Sequence, residues 1–505
     1  MKPQNQSTSD IINNFLKYST IPICKYLNKS SKCERTFWLS VLLFGITSTI
    51  VVTMFIYNGW ITEPTFVTLE PSSLPITEVE FPGIALCNMN KISKIKAEKL
   101  AEEIHKNNLN EPMSVILQTV QLLGSLYDFS IAGFSRFAKY QDILDSYINS
   151  TDLTKTLLNL MVPCDEMLFN CSWNSVTYDC KDIFQTRLSD SGFCCMFNYV
   201  RASTRPDLYD EHINRPIPTE VKHFEGRNLG NGLSVTINNN LSDYFYTTMA
   251  TQGILLKAFF PADYPDLSSG SLKEVVIREN SEVFIQLDPN NLKCDNQIRS
   301  MPRSLRKCKF FDEENVGFGE YSSSNCYVVC KIKSYLALCN CIPFMFPILS
   351  QVDRETIRFC SIIDIPCLNK FQNKILRYYP NDINLAEQPE LQLEYHDSLE
   401  CNCIPNCNDM DFDVNINEVE FHNVNESYQH SSKIHLFTTS AYTNLFKKTS
   451  TITWYEALSN FGGIMSLFLG ISMMTIVEML FVCVKITWVN LKIHKHPLEK
   501  KFITY

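Results

Sequence analysis

The sequence lacks the short motifs by which many enzyme active sites are recognised. It contains no His-Glu-x-x-His, no Gly-x-Ser-x-Gly and no phosphate-binding loop, and Gly230-Asn231-Gly232 lacks the remainder of a dinucleotide fingerprint. The net charge is also small, because the chain has 45 Lys and Arg and 54 Asp and Glu. This balance argues against nucleic acid as a partner, which usually requires a clustered basic surface. We therefore expect no enzyme, no catalytic residue, no cofactor and no nucleic-acid partner.

Histidine is scarce, with nine residues, whereas cysteine is abundant, with twenty. No histidine accompanies the cysteine clusters at the spacing of common zinc sites, so we expect no metal, although zinc stays the competing interpretation of the close Cys pairs. Cysteines at this density are typical of an oxidising compartment. Disulfide bonds are the favoured interpretation.

Two segments are strongly apolar. Residues 37–57 carry no charge, and residues 461–484 carry only Glu478. Each is long enough to cross a bilayer as a helix, which takes about 20 residues. A cleaved signal peptide is the alternative for the first segment, but its apolar run is long and 36 polar-rich residues precede it.

The distribution of basic residues predicts the orientation. Five Lys or Arg lie between Lys17 and Arg35, and none follows the first apolar segment until Lys91. Five more lysines lie between Lys485 and Lys501. Because basic residues stay on the cytoplasmic side, we expect both termini inside the cell. The predicted order is a cytoplasmic segment 1–36, a transmembrane helix 37–57, an extracellular domain 58–460, a transmembrane helix 461–484 and a cytoplasmic segment 485–505.

Cysteines and glycosylation sequons agree with this orientation. Seventeen cysteines fall between the two apolar segments. Four sequons fall there as well, at Asn149, Asn170, Asn240 and Asn425. Seventeen is odd, so at least one cysteine lacks an intrachain partner; Cys294 is the first candidate and Cys195 the second. The disulfide candidates are Cys87, Cys164, Cys171, Cys180, Cys194, Cys308, Cys326, Cys330, Cys339, Cys341, Cys360, Cys367, Cys401, Cys403 and Cys407.

The extracellular part is predicted to be of mixed α and β structure. Apolar residues at helical spacing indicate two helices within residues 92–126, broken near 107–112, and further helices near 153–161 and 324–338. Alternating runs at 233–237 and 275–287 indicate strands. A β-rich middle with helical outgrowths follows.

The second apolar segment has a composition unlike the first. It contains glycines, hydroxyl residues and one carboxylate, namely Gly462, Gly463, Ser466, Gly470, Ser472, Thr475 and Glu478. Small residues alone are explained by close helix packing. An ionisable group at membrane depth, however, requires a protein or water environment. An extended stretch near Gly470 survives there only if it is buried or lines a cavity, and rings of carbonyls and hydroxyls from several chains form a cation filter.

Several blocks of the sequence resemble the degenerin/epithelial sodium channel family, and most closely its insect pickpocket branch. The resemblance spans nearly the whole chain. It is carried by residues 81–88, 192–198, 306–308, 321–326, 339–343, 401–407, 460–463 and 467–472.

The resemblance implies an α+β membrane protein, with two transmembrane helices flanking a disulfide-rich extracellular domain that has a β-rich core and helical finger and thumb. It implies a trimer of identical or related subunits in the plasma membrane, and a sodium-selective, voltage-insensitive current often blocked by amiloride. Gly470, Ile471 and Ser472 match the family's selectivity filter. Gly463 matches the position where bulky side chains hold such channels open, and Ser466, Thr475 and Glu478 fall on the pore segment.

One departure from the family concerns its His-Gly motif before the first helix, where this chain has Pro22 and Ile23. Another is Val329 before Cys330, where Glu is common. Three functions stay open: a conducting subunit, a silent regulatory or sensor subunit, and a two-pass receptor or ATP-gated channel of similar topology. An ATP-gated channel would need a cluster of extracellular lysines, which the sequence does not reveal.

Restoring the motif tests whether the departure impairs opening. Glycine adopts backbone angles closed to β-branched Ile, and proline donates no backbone hydrogen bond. We expect the double variant Pro22→His/Ile23→Gly to carry a larger current than the parent at equal surface level, especially in homomers. Equal currents would show that neighbouring residues already supply an equivalent turn.

Overall fold

The computed structural model describes eleven stretches of the chain, which fall into two compact units. The stretches are 31–71, 73–107, 111–130, 137–145, 153–200, 220–270, 272–315, 320–347, 358–379, 399–420 and 430–495. The helical unit comprises the described residues up to Val67, Asp295–Arg306 and those from Lys448 onward. The large unit comprises those within Thr68–Cys294 and Lys307–Lys447. Pro22, Ile23, Asn149 and Asn425 lie outside the described residues.

The helices of the described residues, in chain order, are α1 (Lys32–Thr62), α2 (Lys94–Asn107), α3 (Met113–Leu122), α4 (Ser125–Asp128), α5 (Phe137–Asp145), α6 (Leu153–Leu160), α7 (Cys164–Met167), α8 (Cys180–Ile183), α9 (Asn296–Arg299), α10 (Arg303–Arg306), α11 (Ser323–Cys339), α12 (Ile365–Leu376), α13 (Trp454–Leu469) and α14 (Met473–Lys495). The strands are β1 (Thr65–Leu69), β2 (Leu74–Pro75), β3 (Gly83–Asn88), β4 (Asn90–Ser93), β5 (Leu168–Trp173), β6 (Val176–Tyr178), β7 (Gln185–Ser189), β8 (Gly192–Phe197), β9 (Leu233–Asn238), β10 (Tyr244–Thr247), β11 (Ile254–Phe259), β12 (Lys273–Ile277), β13 (Ser281–Cys294), β14 (Tyr378–Tyr379), β15 (Leu399–Glu400), β16 (Asp409–Glu420), β17 (Ser431–Phe437) and β18 (Tyr442–Ser450).

Two sheets form the β-rich core. One is antiparallel throughout, with strand order β12-β11-β3-β8-β7. The other has the order β1-β18-β13-β17-β9-β5-β6, with β16 paired to β13 and β2 to β18. Side chains of both sheets share one apolar cluster, in which Phe81 contacts Trp173 at 4.7 Å between ring centroids. The predicted mixed α and β structure with a β-rich middle is confirmed.

The helices of the large unit pack into a separate cluster. Helices α2, α3, α6, α11 and α12 all contribute buried apolar side chains to it. The break between α2 and α3 falls where the sequence predicted it, before Pro112, which precedes α3 with extended backbone. The strand predicted over 275–287 is in fact two strands, β12 and β13, separated by Asn280 with a φ of 54°. A turn at this asparagine explains the interruption.

Eight disulfide bonds cross-link the large unit. Three lie within or beside the sheets, and five connect α11 and its surroundings to later segments. The pairs are Cys87–Cys194, Cys164–Cys195, Cys171–Cys180, Cys308–Cys407, Cys326–Cys403, Cys330–Cys401, Cys339–Cys367 and Cys341–Cys360. Each typically contributes about 2–4 kcal/mol by restricting the unfolded chain.

The structure also separates the two candidates for the odd cysteine. Cys195 is bonded to Cys164, whereas Cys294 is in none of the eight bonds. The Cys294 thiol instead donates a hydrogen bond to the Cys407 carbonyl at 3.0 Å.

Buried lysines are a feature that the sequence did not reveal. Lys257, at 0% exposed, lies on β11 between Asp190 and Glu274, with 2.7 Å to the Glu274 carboxylate. Lys331 of α11 is likewise buried against Asp266. Buried charges of this kind are tolerated because each has a partner, and removal of one partner costs about 3–5 kcal/mol.

Lys91 is buried, and no carboxylate of the described residues forms an ion pair with it. Its ammonium donates to the Asn88 carbonyl at 2.8 Å and lies 5.9 Å from the Tyr127 ring centroid. Burial, and then the nearby charge of Lys257, lower the pKa of Lys91 to about 7. Because the folded state binds this proton more weakly than the unfolded chain, stability rises as pH increases above the folded-state pKa.

We expect the melting temperature of the detergent-solubilised full chain to rise between about pH 7 and pH 9, with Lys91 contributing roughly 2 kcal/mol. Lys91→Met should melt higher than the parent below pH 7, and its rise with pH should be smaller. Lys99→Met, which replaces an exposed lysine of α2, is the control and should behave as the parent does. Identical pH profiles for all three proteins would contradict this account of Lys91.

Candidate functional site at a broken apolar helix

The second apolar segment begins with a defined helix start. Thr453 precedes α13, and its hydroxyl accepts a hydrogen bond from the Glu456 backbone N–H at 3.4 Å. The Glu456 carboxylate in turn accepts one from the Thr453 N–H at 2.8 Å. This reciprocal capping box satisfies two backbone donors that the helix itself cannot satisfy. The helix therefore starts seven residues before the apolar segment predicted at 461.

Gly470 ends α13. Its φ of 64° and ψ of 23° are left-handed, and its N–H bonds to the Ser466 carbonyl at 3.0 Å. The Ile471 N–H reaches back to the Met465 carbonyl at 3.4 Å. A left-handed glycine is a common helix terminator because residues with a Cβ are strained in this conformation. Residues 470–472 are accordingly non-helical.

Ser472 immediately precedes the next helix, α14, and caps its first turn. Its hydroxyl accepts from the Thr475 N–H at 3.4 Å, and its own N–H donates to the Thr475 hydroxyl at 3.3 Å. Thr475 is fully buried. Two of the predicted pore residues are thus joined by hydrogen bonds across the first turn of α14.

The two helices meet at a sharp angle. Trp454–Leu469 and Met473–Val489 are bent by 80° at the break, and together they are long and apolar enough for a broken span or a re-entrant loop. Helix α1, Lys32–Thr62, is by itself long and apolar enough to cross a membrane. The expected single helix over 461–484 is therefore divided, and the physical reason is the left-handed backbone of Gly470.

The remaining predicted residues lie on both sides of the break. Ser466 is exposed one turn before it, and Glu478 is half-buried one turn after Thr475. Gly463 faces open space, because a Cβ added there meets no atom within 4 Å in the described part of this chain. The described residues of one chain therefore do not crowd Gly463.

Gly45 of α1 is a site residue that the sequence reasoning missed. A Cβ at Gly45 would lie 2.7 Å from the Phe468 carbonyl oxygen, two residues before Gly470. Close backbone approach of this kind is what small residues permit between membrane helices. Gly45 is the one glycine among residues 37–57. A single glycine in an otherwise apolar segment could have indicated a close helix contact.

Within the described stretches, two groups of side chains have the spacing of metal ligands, but each contains a bonded cysteine pair. The groups are Cys294 with Cys308 and Cys407, and Cys341 with Cys360 and Asp364. Because the sulfurs of Cys308–Cys407 and Cys341–Cys360 are joined as disulfides, they are not available as the thiolates that bind metal.

Two of the four predicted glycosylation sites fall within the described residues. Asn170 on β5 and Asn240 after β9 are both exposed. At the second, the Ser242 hydroxyl of the sequon donates to the Asn240 side-chain oxygen at 2.9 Å. Both side chains are accessible for modification, which stays a prediction.

Comparison with known proteins identifies the family to which the chain belongs. The family model described as amiloride-sensitive sodium channel matches residues 15–482. The chain therefore belongs to this family of ion channels, the degenerin/epithelial sodium channel family, whose members are not enzymes.

Individual relatives are distant but extend over most of the chain. The chain is 25% identical to Pickpocket protein 28 of Drosophila melanogaster, over 92% of this chain and 77% of the relative. It is 22% identical to the sodium channel protein Nach of the same organism, over 92% and 85%. The bile acid-sensitive ion channel of Rattus norvegicus is 21% identical, over 89% and 82%.

Gly45→Ala tests the contact between α1 and the break. Helix propensity alone favours Ala over Gly by about 1 kcal/mol, but overpacking against the Phe468 carbonyl should cost about 1–3 kcal/mol. We therefore expect Gly45→Ala to lower the melting temperature of the solubilised full chain. Gly59→Ala in the same helix, where a Cβ meets nothing within 4 Å, should leave it unchanged or raise it. A stabilised Gly45→Ala protein would show that the two segments do not touch there.

Proposed function

We propose that this chain is one subunit of a trimeric, sodium-permeable and voltage-insensitive cation channel of the plasma membrane, blocked by amiloride. Its two apolar segments cross the bilayer and both termini are cytoplasmic. The family membership supports a channel, and the basic residues that flank the apolar segments support the orientation. The subunits of the trimer are copies of this chain or related chains.

The break at 470–472 is the observation that carries the proposal. Non-helical backbone at membrane depth requires burial or a water-lined cavity, because lipid cannot satisfy its polar groups. Here the non-helical residues are Gly470, Ile471 and Ser472, between two apolar helices bent by 80°. Carbonyls and hydroxyls at such a point can replace part of the water shell of a sodium ion.

The surface of α13 supports an oligomer. None of its sixteen residues is buried within the described part of the single chain, although the helix carries Gly462, Gly463 and Ser466. Lipid suffices to cover an apolar face, but a polar and glycine-rich face fits against neighbouring helices. One segment cannot surround a pore, so several copies must contribute one segment each.

Ser472→Leu tests the filter assignment. The leucine side chain removes the hydroxyl that caps α14 at Thr475 and places a branched apolar group at the proposed constriction. We expect loss of current, or an altered sodium-to-potassium permeability ratio, while surface expression persists. The control is Ser40→Leu, the same substitution at an exposed position of α1. An unchanged permeability ratio in Ser472→Leu would remove Ser472 from the filter.

Gly463→Val tests the proposed crossing of neighbouring subunits. A side chain that clashes only in the closed assembly favours the open state, and moving an equilibrium from 1:99 to 99:1 takes about 5.5 kcal/mol. We expect a constitutive sodium current from cells that express Gly463→Val. Gly462→Val, whose Cβ is equally unobstructed within one chain, is the matched control and should stay closed. Silence of both variants would contradict the gating role of Gly463.

A silent regulatory subunit is the second candidate, and the Pro22-Ile23 departure is the observation that favours it. Recording from cells that express this chain alone, and then with related subunits, separates the two functions. If this chain conducts, Ser472→Leu should alter the sodium-to-potassium permeability ratio of the recorded current. If it is a silent subunit, the ratio measured with a conducting partner should stay the same after that substitution.

A further inference from the structure

Three cysteine sulfurs lie together at the end of β13. The Sγ atoms of Cys294, Cys308 and Cys407 are all within 4.8 Å of one another. Cys308 and Cys407 are bonded to each other, whereas Cys294 is in none of the eight disulfides. Among the described residues, no other group of three cysteines has sulfurs this close. The Cys294 thiol is therefore held beside a disulfide.

The strand register sets Cys294 opposite Cys407. Strands β13 and β16 are antiparallel, and Leu292 is paired with Asp409. Two residues further along this register, Cys294 faces Cys407, and its thiol donates to the Cys407 carbonyl at 3.0 Å. The Cys294 N–H donates to the Asn408 side-chain oxygen at 2.9 Å. Opposed residues in antiparallel strands have Cα atoms about 4.5–5.5 Å apart, which is within the range of about 4.4–6.8 Å that a disulfide spans.

Burial determines which thiol can reach this disulfide. Cys308 is 1% exposed and Cys407 is 0% exposed, and both lie in a small apolar cluster with Phe310. Cys294 is half-buried and packs against the same cluster. Access is one of the factors that set the rate of thiol–disulfide exchange. A small thiol from solvent is therefore hindered at this bond, whereas the Cys294 thiol already lies beside it.

Backbone hydrogen bonds hold the Cys308 and Cys407 segments together independently of their sulfurs. The Cys407 N–H donates to the Lys309 carbonyl at 2.9 Å, and the Lys309 N–H donates to the Pro405 carbonyl at 2.9 Å. Neither bond depends on the disulfide, so the two segments can stay in place when the sulfur–sulfur bond breaks. The same backbone therefore fits a Cys308–Cys407 bond and a Cys294–Cys407 bond.

We infer that Cys294 exchanges with the Cys308–Cys407 disulfide. The Cys294 thiol loses its proton to water, and the resulting thiolate attacks the Sγ atom of Cys407. The Cys294–Cys407 bond forms as the Cys308–Cys407 bond breaks. The electron pair of the broken bond leaves on the Cys308 sulfur, which then takes up a proton. One disulfide and one thiol are present before and after, so the exchange needs no oxidant or reductant.

The exchange changes which part of the chain is cross-linked to the start of β16. Along the sequence, Cys294 and Cys308 flank Asp295–Arg306, a segment of the helical unit. The Cys308–Cys407 bond attaches Cys407 to the chain after this segment, whereas the Cys294–Cys407 bond attaches it to the chain before this segment. The three cysteines therefore form a regulatory site that moves one covalent link from one end of the segment to the other.

The test maps thiols and disulfides in the full chain in lipid nanodiscs. After incubation at about pH 8, acid stops the exchange by removing the thiolate. N-ethylmaleimide then alkylates the thiols in guanidinium, and mass spectrometry reads peptides digested without reduction. We expect Cys308 to be alkylated in about a tenth of the chains or more, which corresponds to pairings within about 1.4 kcal/mol of each other. An equal amount of Cys294–Cys407 peptide should accompany it.

Three outcomes of this mapping would overturn the inference. One is alkylation at Cys294 with none at Cys308. The second is a Cys294–Cys308 peptide, which would show attack on the other sulfur. The third is a dimer linked through Cys294, which would show that a second chain takes this thiol.

Variants test the alternative bond directly. Cys308→Ser removes the leaving sulfur and should contain a Cys294–Cys407 bond, with neither sulfur alkylated. Cys171→Ser is the matched control and should leave Cys180 alkylated, because no third cysteine lies beside that pair within the described residues. Alkylation of both Cys294 and Cys407 in folded Cys308→Ser would overturn the inference. If Cys308→Ser fails to fold, Cys294→Ser decides: it should abolish alkylation at Cys308, and persistence of that alkylation would overturn the inference.

Discussion

The left-handed backbone at Gly470 is the constraint on which the proposed ion pathway depends. If Gly470 had right-handed helical angles, α13 would continue straight through it. The backbone N–H and C=O groups there would then all be bonded within the helix. Because Gly470 adopts a φ of 64°, α13 ends, residues 470–472 lie outside either helix, and α14 starts in a new direction. The Ser472–Thr475 hydrogen bonds then stabilise that new start. Without a glycine at this position, the strain of about 1–2 kcal/mol would favour an unbroken helix.

The same region shows how small residues act in different ways within one membrane protein. Gly45 has no Cβ to obstruct the Phe468 carbonyl, so its importance lies in packing within the chain. A Cβ on Gly463 would meet no atom within 4 Å in the described part of the chain, so the importance we propose for it comes from other copies. Gly470 matters for its backbone conformation. These three roles cannot be distinguished from residue type, and each gives a different response to substitution.

The large unit is stabilised by a different kind of interaction. Eight disulfides restrict its unfolded state, and two sheets share an apolar core. Lys257 and Lys331 are buried with carboxylate partners, whereas Lys91 is buried against a carbonyl and a ring. Paired charges of this type are weak evidence for added stability, since well-packed apolar groups often do as well. The paired lysines make the fold depend on a specific arrangement of charges. The burial of Lys91 makes the stability of the large unit depend on pH.

Much of this architecture follows from sequence patterns, and the exceptions have physical causes. The break before Pro112 and the strand β9 were predicted because proline and alternating apolar residues act locally. The sequence indicated only what an extended stretch near Gly470 would require, and did not predict that the helix breaks there. Whether a glycine adopts left-handed backbone angles depends on its surroundings. The division between β12 and β13 was missed because asparagine tolerates both strand and turn. Gly45, the buried lysines and the Cys164–Cys195 bond were missed because they depend on contacts between residues distant in sequence.

A structure of the assembled full chain in lipid nanodiscs, determined by electron cryomicroscopy, tests the central claim most directly. The account predicts copies arranged around a single axis, with residues 470–472 non-helical and at the narrowest point of a central passage. A continuous helix through Gly470, or a break that faces lipid while another segment lines the passage, would contradict it.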